Sequence, residues 1–192
     1  DLDAARNELQ VAYDTGIRSA AIVFMHGYRF TDHEAQVADL AREIRSTIEN
    51  IKSFATQVHE GGIQGDGGLF TDVLVIGIGG SALGPQFISH ALGQPSTDKA
   101  RIHFFDNTDP DGMDLVLDEI GDNLNRTLSL VVSKSGGTAE TRNGMLEAKK
   151  AYEANGLNFG RHAVAITGEG SKLDQVAKTE DWLSGFPMWD WV

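Results

Sequence analysis

Two short stretches carry the residue types best suited to chemistry: Gly77-Ile78-Gly79-Gly80-Ser81 and Ser133-Lys134-Ser135-Gly136-Gly137-Thr138. Glycine lets a backbone approach a ligand closely. The hydroxyls of Ser81, Ser133, Ser135 and Thr138 add hydrogen-bond donors, and Lys134 adds a full positive charge. Each stretch directly follows an apolar run, Val73-Leu74-Val75-Ile76 or Leu128-Ser129-Leu130-Val131-Val132, and each opens into a helix-like pattern. In such a strand-to-helix turn the first helical N–H groups have no intrahelical acceptor, and the helix dipole adds partial positive charge. An oxyanion is the natural guest, and this donor set suits a phosphate monoester better than a carboxylate.

The elements that must position these turns follow from periodicity. Apolar runs at 73–76, 102–105, 128–132 and 163–166 alternate with helical patterns at about 81–92, 111–120, 138–154 and 171–178. That rhythm predicts an α/β fold, a doubly wound parallel sheet in three α/β/α layers with right-handed crossovers. In the flavodoxin-like strand order the winding reverses between the first and third strands, which are the two that carry the Gly/Ser turns. One topology therefore brings together two turns about fifty residues apart along the chain.

Upstream, Thr31 and Glu34 have capping-box spacing, and Val37, Leu40, Ile44, Ile48, Ile51, Ala55 and Val58 then recur every three or four residues. This predicts one long amphipathic helix, a packing face closed by Gly61-Gly62. The domain reading is a helical appendage over 1–62 and a ligand-binding domain over 63–192. Leu2 to Tyr13 reads as a helix and Ala20 to Met25 as either a strand or a buried helical turn; no function attaches to residues 1–30.

Composition narrows the function classes. A length of 192 residues with 41% hydrophobic and 23% charged residues fits a soluble globule with a sizeable core. The absence of an eighteen-residue apolar run and of a secretory pattern leads to the expectation of a cytoplasmic chain without a membrane partner, and a first residue other than Met suggests a piece of something longer. With no cysteine there is no disulfide, thiolate metal site or cysteine nucleophile. A formal charge of -12 argues against nucleic acid or an anionic membrane as partner. An anionic ligand must then be held by local donors, against the global field.

Each signal has a plainer reading. Gly77-x-Gly79-x-x-Ala82 also fits a dinucleotide fingerprint, with Asp106 ending the second strand as the ribose-binding acid. Against it, Asp106 lies beyond the usual spacing of about twenty residues, and a dinucleotide site does not call for a second Ser/Lys/Thr turn. A Walker A loop is excluded, since no Gly-Lys-Ser/Thr follows a glycine at the required distance. The second turn could be a simple helix cap, in which Ser135 or Thr138 satisfies backbone donors and nothing more. Glu140 and Arg142 read as first-turn and surface charges. The histidines, at 26, 33, 59, 90, 103 and 162, lack metal-ligand spacing and read as surface or satisfied core residues. Trp182, Trp189 and Trp191 read as a packed aromatic cluster.

Three separated segments, in order, resemble the signatures of the glucose-6-phosphate isomerase family. They are Gly77-Ile78-Gly79-Gly80-Ser81-Ala82-Leu83-Gly84-Pro85, Ser133-Lys134-Ser135-Gly136-Gly137-Thr138-Ala139-Glu140-Thr141 and Phe186-Pro187-Met188-Trp189-Asp190-Trp191-Val192. The first two resemble the marks of that family's N-terminal sugar-isomerase (SIS) domain, and the likeness covers roughly residues 35–192. It implies interconversion of glucose 6-phosphate and fructose 6-phosphate in glycolysis and gluconeogenesis, through an enediol, with no metal or cofactor, in a cytoplasmic homodimer. It also implies that Gly80, Ser81 and Ser133, Lys134, Ser135, Gly136, Gly137 and Thr138 hold the substrate phosphate. By the same resemblance, a Gly-Gly-Arg would follow Val192, and the glutamate base, ring-opening histidine and a lysine would lie farther on. No catalytic residue is therefore expected within 1–192, and the chain is expected to bind sugar phosphate without turning it over. Two other readings stay open: a stand-alone sugar-phosphate-binding module and a nucleotide-cofactor-binding domain.

Overall fold

The β-branched and leucine-rich runs pair as parallel strands because they are too short for helices and too apolar to leave exposed on either face. The computed structural model describes residues 2–15 and 32–189. Along the chain run α1 (Leu2–Asp14), α2 (Asp32–Glu60), β1 (Asp72–Ile76), α3 (Gly80–Leu92), β2 (Arg101–Phe105), α4 (Pro110–Ile120), β3 (Thr127–Ser133), α5 (Ala139–Ala154), β4 (Ala163–Thr167), α6 (Lys172–Thr179) and β5 (Ser184–Pro187). Short 3-10 turns precede β3 and β4. The chain divides within α2, at Ser53 and Phe54, into a helical unit and the unit that carries the sheet.

In the helical unit, Val37, Leu40 and Ile44 of α2 are buried at the expected three-to-four-residue spacing. At its far end α2 stops as the glycine pair predicts. Gly61 takes φ +79°, and the Gly62 N–H closes on the Gln57 carbonyl at 2.8 Å. The Ala20 to Met25 segment, Thr31 of the capping box and the residues from Asp190 onward lie outside the described residues.

The sheet order is β2-β1-β3-β4-β5 and every pairing is parallel. This is the flavodoxin-like order, with the reversal between β1 and β3, where Ile76 lies opposite Val131. Alternate residues of each strand feed two cores. Leu74, Ile76, Val131, Ala163 and Ala165 pack with Met113, Met145, Tyr152 and Leu173, contributed by α4, α5 and α6. Leu128 and Val164 pack on the other face with Phe70, and Phe54 and Val58 of α2 close against them. Burying each such large side chain contributes about 1.5–3 kcal/mol. α3 buries only Ala82 and leaves Leu83, Phe87, Ile88 and Leu92 exposed.

The sequence expectation omitted β5. Ser184-Gly185-Phe186-Pro187 has no apolar run, and Pro187 would break a central strand. At the edge of the sheet only one side must be hydrogen-bonded, so β4 alone templates it. Trp182 packs edge-on to Phe159, with ring centroids 5.3 Å apart, in the main core. That places Trp182 in a cluster with Phe159 and Tyr152, while Trp191 lies outside the described residues.

At the opposite edge of the sheet from the Gly/Ser turns, Asp72 begins β1 fully buried. Arg101 reaches both its oxygens at 3.0 and 3.2 Å, His103 Nε2 lies 2.9 Å away and Thr71 Oγ1 donates at 2.8 Å. Burial alone would raise its carboxyl, but the hydrogen bonds from His103, Thr71 and Arg101 outweigh it and hold the group below its ordinary 3.8. A lowered carboxyl stabilises the fold fully above its unfolded value, and that stabilisation is lost as pH falls through the folded value. Asp72→Asn should therefore lower unfolding stability by about 3–5 kcal/mol at neutral pH, the range for breaking a buried pair. Denaturant unfolding at stepped pH should show the gap between parent and variant constant near neutrality and shrinking below about pH 4.

Candidate functional site

The two turns lie side by side because β1 and β3 are hydrogen-bonded neighbours whose carboxyl ends face the same way. Between them is a hollow of about 400 Å3. Ile78 and Ser81 line it from the first turn; Val132, Ser133, Lys134, Ser135, Thr138 and Thr141 line it from the second. Ser81, Ser133, Lys134, Ser135 and Thr138, all singled out by residue type, thus share one cup. Gly80 is the first residue of α3, beside Ser81, with open space where a side chain would be. Gly136 and Gly137 complete the second turn without lining the hollow. Larger hollows, of about 560 and 550 Å3, lie against α6 and β5 and against the end of α3. Neither is lined by the Gly/Ser turns, so chemistry rather than size selects the smaller one.

The helix starts around the sheet differ in how they are capped. Asp109 accepts from the Asp111 N–H at the start of α4, and Ser171 accepts from the Asp174 N–H at the start of α6. The caps of α3 and α5, Gly79 and Thr138, make no side-chain cap hydrogen bond. Thr138 Oγ1 instead accepts from Ser133 Oγ at 3.2 Å, across the cup. The plain capping reading therefore fails for Thr138. It holds in part for Ser135, whose Oγ accepts from the Gly137 N–H at 3.2 Å. Two uncapped helix starts thus point their dipoles at one hollow lined by hydroxyls and Lys134, an arrangement that concentrates donors on a small anion.

The dinucleotide reading meets an occupied acid. Asp106 accepts from Gln86 Nε2 at 2.6 Å and from Asn107 Nδ2 at 3.1 Å, so both its oxygens are engaged and one of them ties α3 to the end of β2. His103 is committed to Asp72, and His162 is fully buried, its Nδ1 donating to the Thr127 carbonyl at 3.1 Å. Both are satisfied structural histidines; His59 and His90 are exposed. No group of three or more His, Cys, Asp or Glu side chains among the described residues could hold a metal ion, and no described helix is long and apolar enough to cross a membrane.

With this geometry in place, the profile of the family described as phosphoglucose isomerase matches residues 19–192. The chain belongs to the phosphoglucose isomerase family. Among curated relatives, a glucose-6-phosphate isomerase of Geobacter sp. (strain M21) is 60% identical over 168 residues, covering 87% of this chain and 32% of the relative. One from Citrifermentans bemidjiense is 62% identical over 159 residues, covering 82% and 30%. Among solved structures, a glucose-6-phosphate isomerase from Chlamydia trachomatis superposes with a TM-score of 0.72 at 29% identity, over 99% of this chain and 31% of that one. The chain thus spans about a third of the length of these relatives.

Among the cup residues, Ile78, Val132 and Thr141 were not singled out from the sequence. Thr141 carried a usable signal: it follows Thr138 by three residues, so both lie on one face of the first turn of α5. Ile78 and Val132 offered none, because apolar wall residues look like any other residues at a strand end.

Gly136 sits at φ +63°, and a Cβ there would lie 2.5 Å from Ser171 Oγ and 2.7 Å from the Leu173 nitrogen. A Cβ on Gly137 would touch nothing closer than Ser135, at 4.0 Å. Gly136→Ala should therefore cost about 1–3 kcal/mol of stability from backbone strain and crowding, whereas Gly137→Ala should stay within about 0.5 kcal/mol. Thermal unfolding of the two variants beside the parent checks the contrast.

Proposed function

We propose that the cup lined by Ser81, Ser133, Lys134, Ser135 and Thr138, together with the adjoining backbone at Gly80, Gly136 and Gly137, binds the phosphate of a sugar phosphate. On this reading the chain is the phosphate-holding part of a glucose-6-phosphate isomerase. The observation that carries it is the meeting of two helix starts without side-chain caps at one hydroxyl-lined hollow. Family membership supports the choice of ligand, since the relatives are named glucose-6-phosphate isomerases.

Isomerisation between an aldose and a ketose needs a positioned base to carry a proton between neighbouring carbons, and donors for the oxyanion that develops. The residues lining the cup include no carboxylate and no imidazole. The part played by this chain is therefore anchoring: it fixes one end of the substrate, and binding energy gained there is used at a reacting centre that other residues supply. We place the full-length protein in the cytoplasm as a homodimer acting in glycolysis and gluconeogenesis, with this chain made of a helical appendage and an SIS domain.

Titration calorimetry of the 192-residue chain with glucose 6-phosphate should show binding, and glucose should bind far more weakly. Ser81→Ala and Thr138→Ala should each lower glucose 6-phosphate affinity by about 1–3 kcal/mol, the range for a hydrogen bond to a charged group. Unchanged titrations for both variants would refute the site. A coupled isomerase assay on the same chain should show no turnover. Binding of NAD in place of glucose 6-phosphate would favour the nucleotide-cofactor reading.

A further inference from the structure

We infer that Thr167, outside the cup, is the positioning residue that aims the second turn at its ligand. This inference rests on the phosphate site proposed above. Thr167 ends β4, is 4% exposed, and donates from Oγ1 to the Ser133 carbonyl at 2.6 Å. Its oxygen also lies 2.7 Å from Ser171 Oγ, which accepts from the Asp174 N–H at 3.1 Å.

The direction of this chain is forced. A hydroxyl has one hydrogen. Thr167 spends its hydrogen on a carbonyl, so Ser171 donates to Thr167 and receives from the backbone of α6. The sequence of donors runs from the Asp174 N–H through Ser171 and Thr167 to the Ser133 carbonyl, which also accepts from the Gly136 N–H at 3.1 Å. Linked hydrogen bonds of this kind strengthen one another, and Thr167 is the middle link.

The consequence for the cup comes from peptide geometry. Next to the Ser133 carbonyl, the Lys134 carbonyl accepts from the Gly168 N–H at 2.9 Å. Two successive carbonyls are therefore turned toward β4, where a regular strand would alternate them. A trans peptide is planar, with each C=O antiparallel to the next N–H. The N–H groups of Lys134 and Ser135 are thus both turned the other way, toward β1. That is the side on which Ser81 stands, since β1 and β4 flank β3. Successive amides aimed in one direction form an anion-binding nest. Thr167 and Gly168 hold that nest open from behind, and of the two only Thr167 does so with a side chain.

Thr167→Val keeps the shape and removes the hydroxyl; Thr167→Ser keeps the hydroxyl. In calorimetric titrations of the 192-residue chain with inorganic phosphate and with glucose 6-phosphate, Thr167→Val should weaken both by about tenfold, and Thr167→Ser should stay within about twofold of the parent. In 15N-resolved spectra, phosphate should shift the Ser135 amide in the parent and in Thr167→Ser but not in Thr167→Val. Normal affinity in Thr167→Val while Ser81→Ala binds weakly would overturn the inference and leave the site standing. Equal loss in Thr167→Ser and Thr167→Val would overturn it too, since packing and not the hydroxyl would then matter. Unchanged binding in Ser81→Ala, Thr138→Ala and Thr167→Val together would remove the site itself. Should Thr167→Val fail to fold, Ser171→Ala, which removes the outer link together with the cap of α6, should weaken phosphate by about threefold, and normal binding there would be contrary.

Discussion

The adjacency of β1 and β3 is the constraint on which everything else depends. A parallel strand delivers its following helix to the same edge of the sheet as its neighbour does, so each pair of adjacent strands brings two helix starts close together. Two of the four such starts are capped by side chains within the chain. Asp109 and Ser171 cap α4 and α6 with their own side chains. At the β1–β3 pair the chain leaves this undone, since Gly79 has no side chain to offer and Thr138 turns its hydroxyl to Ser133. Orphaned helical amides are a cost to an isolated domain. Leaving two helix starts without side-chain caps at one hollow makes sense when a ligand with several acceptor oxygens lies between them.

The surrounding structure makes that hollow rigid by unequal means. α5 is set by packing: Met145, Ala148 and Tyr152 lie in the main core, and Gly144 brings the helix close to Ile76 and Phe105. α3 has little such packing, and polar ties take its place. Gln86 reaches Asp106 at 2.6 Å, and the Gly77 N–H bonds to the Phe105 carbonyl at 3.1 Å, so the end of β2 holds both the first turn and its helix. The acid that suggested a ribose partner in the sequence thus belongs to the scaffold. On the far side, Thr167 and Gly168 do the equivalent for the second turn from the end of β4. Both strands that flank the β1–β3 pair therefore brace its loops.

How much of this was legible follows from where the information resides. The three inner strands, β1, β3 and β4, and their helices were readable because burial on both faces demands continuous apolar runs, which few other structures need, and β2, an edge strand, was readable from its own run Ile102 to Phe105. Strand order followed from the chemistry of the turns, since only one common winding brings Ser81 and Thr138 together. β5 was not readable: an edge strand is defined by the neighbour that templates it, and Ser184-Gly185-Phe186-Pro187 has no pattern of its own. The bracing was hidden for a related reason. Thr167 and Ser133 are an ordinary hydroxyl pair at the ends of two strands, and their significance appears only when strand register sets them side by side. Residue type exposed the groups lining the hollow, and topology was needed to expose those hydrogen-bonded behind them.

The composition of the cup also explains why so little of the chemistry is found in this part of the fold. Hydroxyls, backbone amides and one lysine are well suited to a dianion that does not react, because they hold charge without accepting protons. A carboxylate base placed among them would be drawn to the same helix dipoles and to Lys134, and its affinity for a proton would fall. It would also repel the phosphate it sat beside. Anchor and base must then stand apart, one at each end of the substrate, and a sheet edge furnished as this one is can serve only the first role. A substrate fixed through its phosphate presents its reacting carbons away from these turns, so the residues that act on it have to come from other elements. On the proposed function, that separation is a requirement of electrostatics before it is a matter of domain organisation.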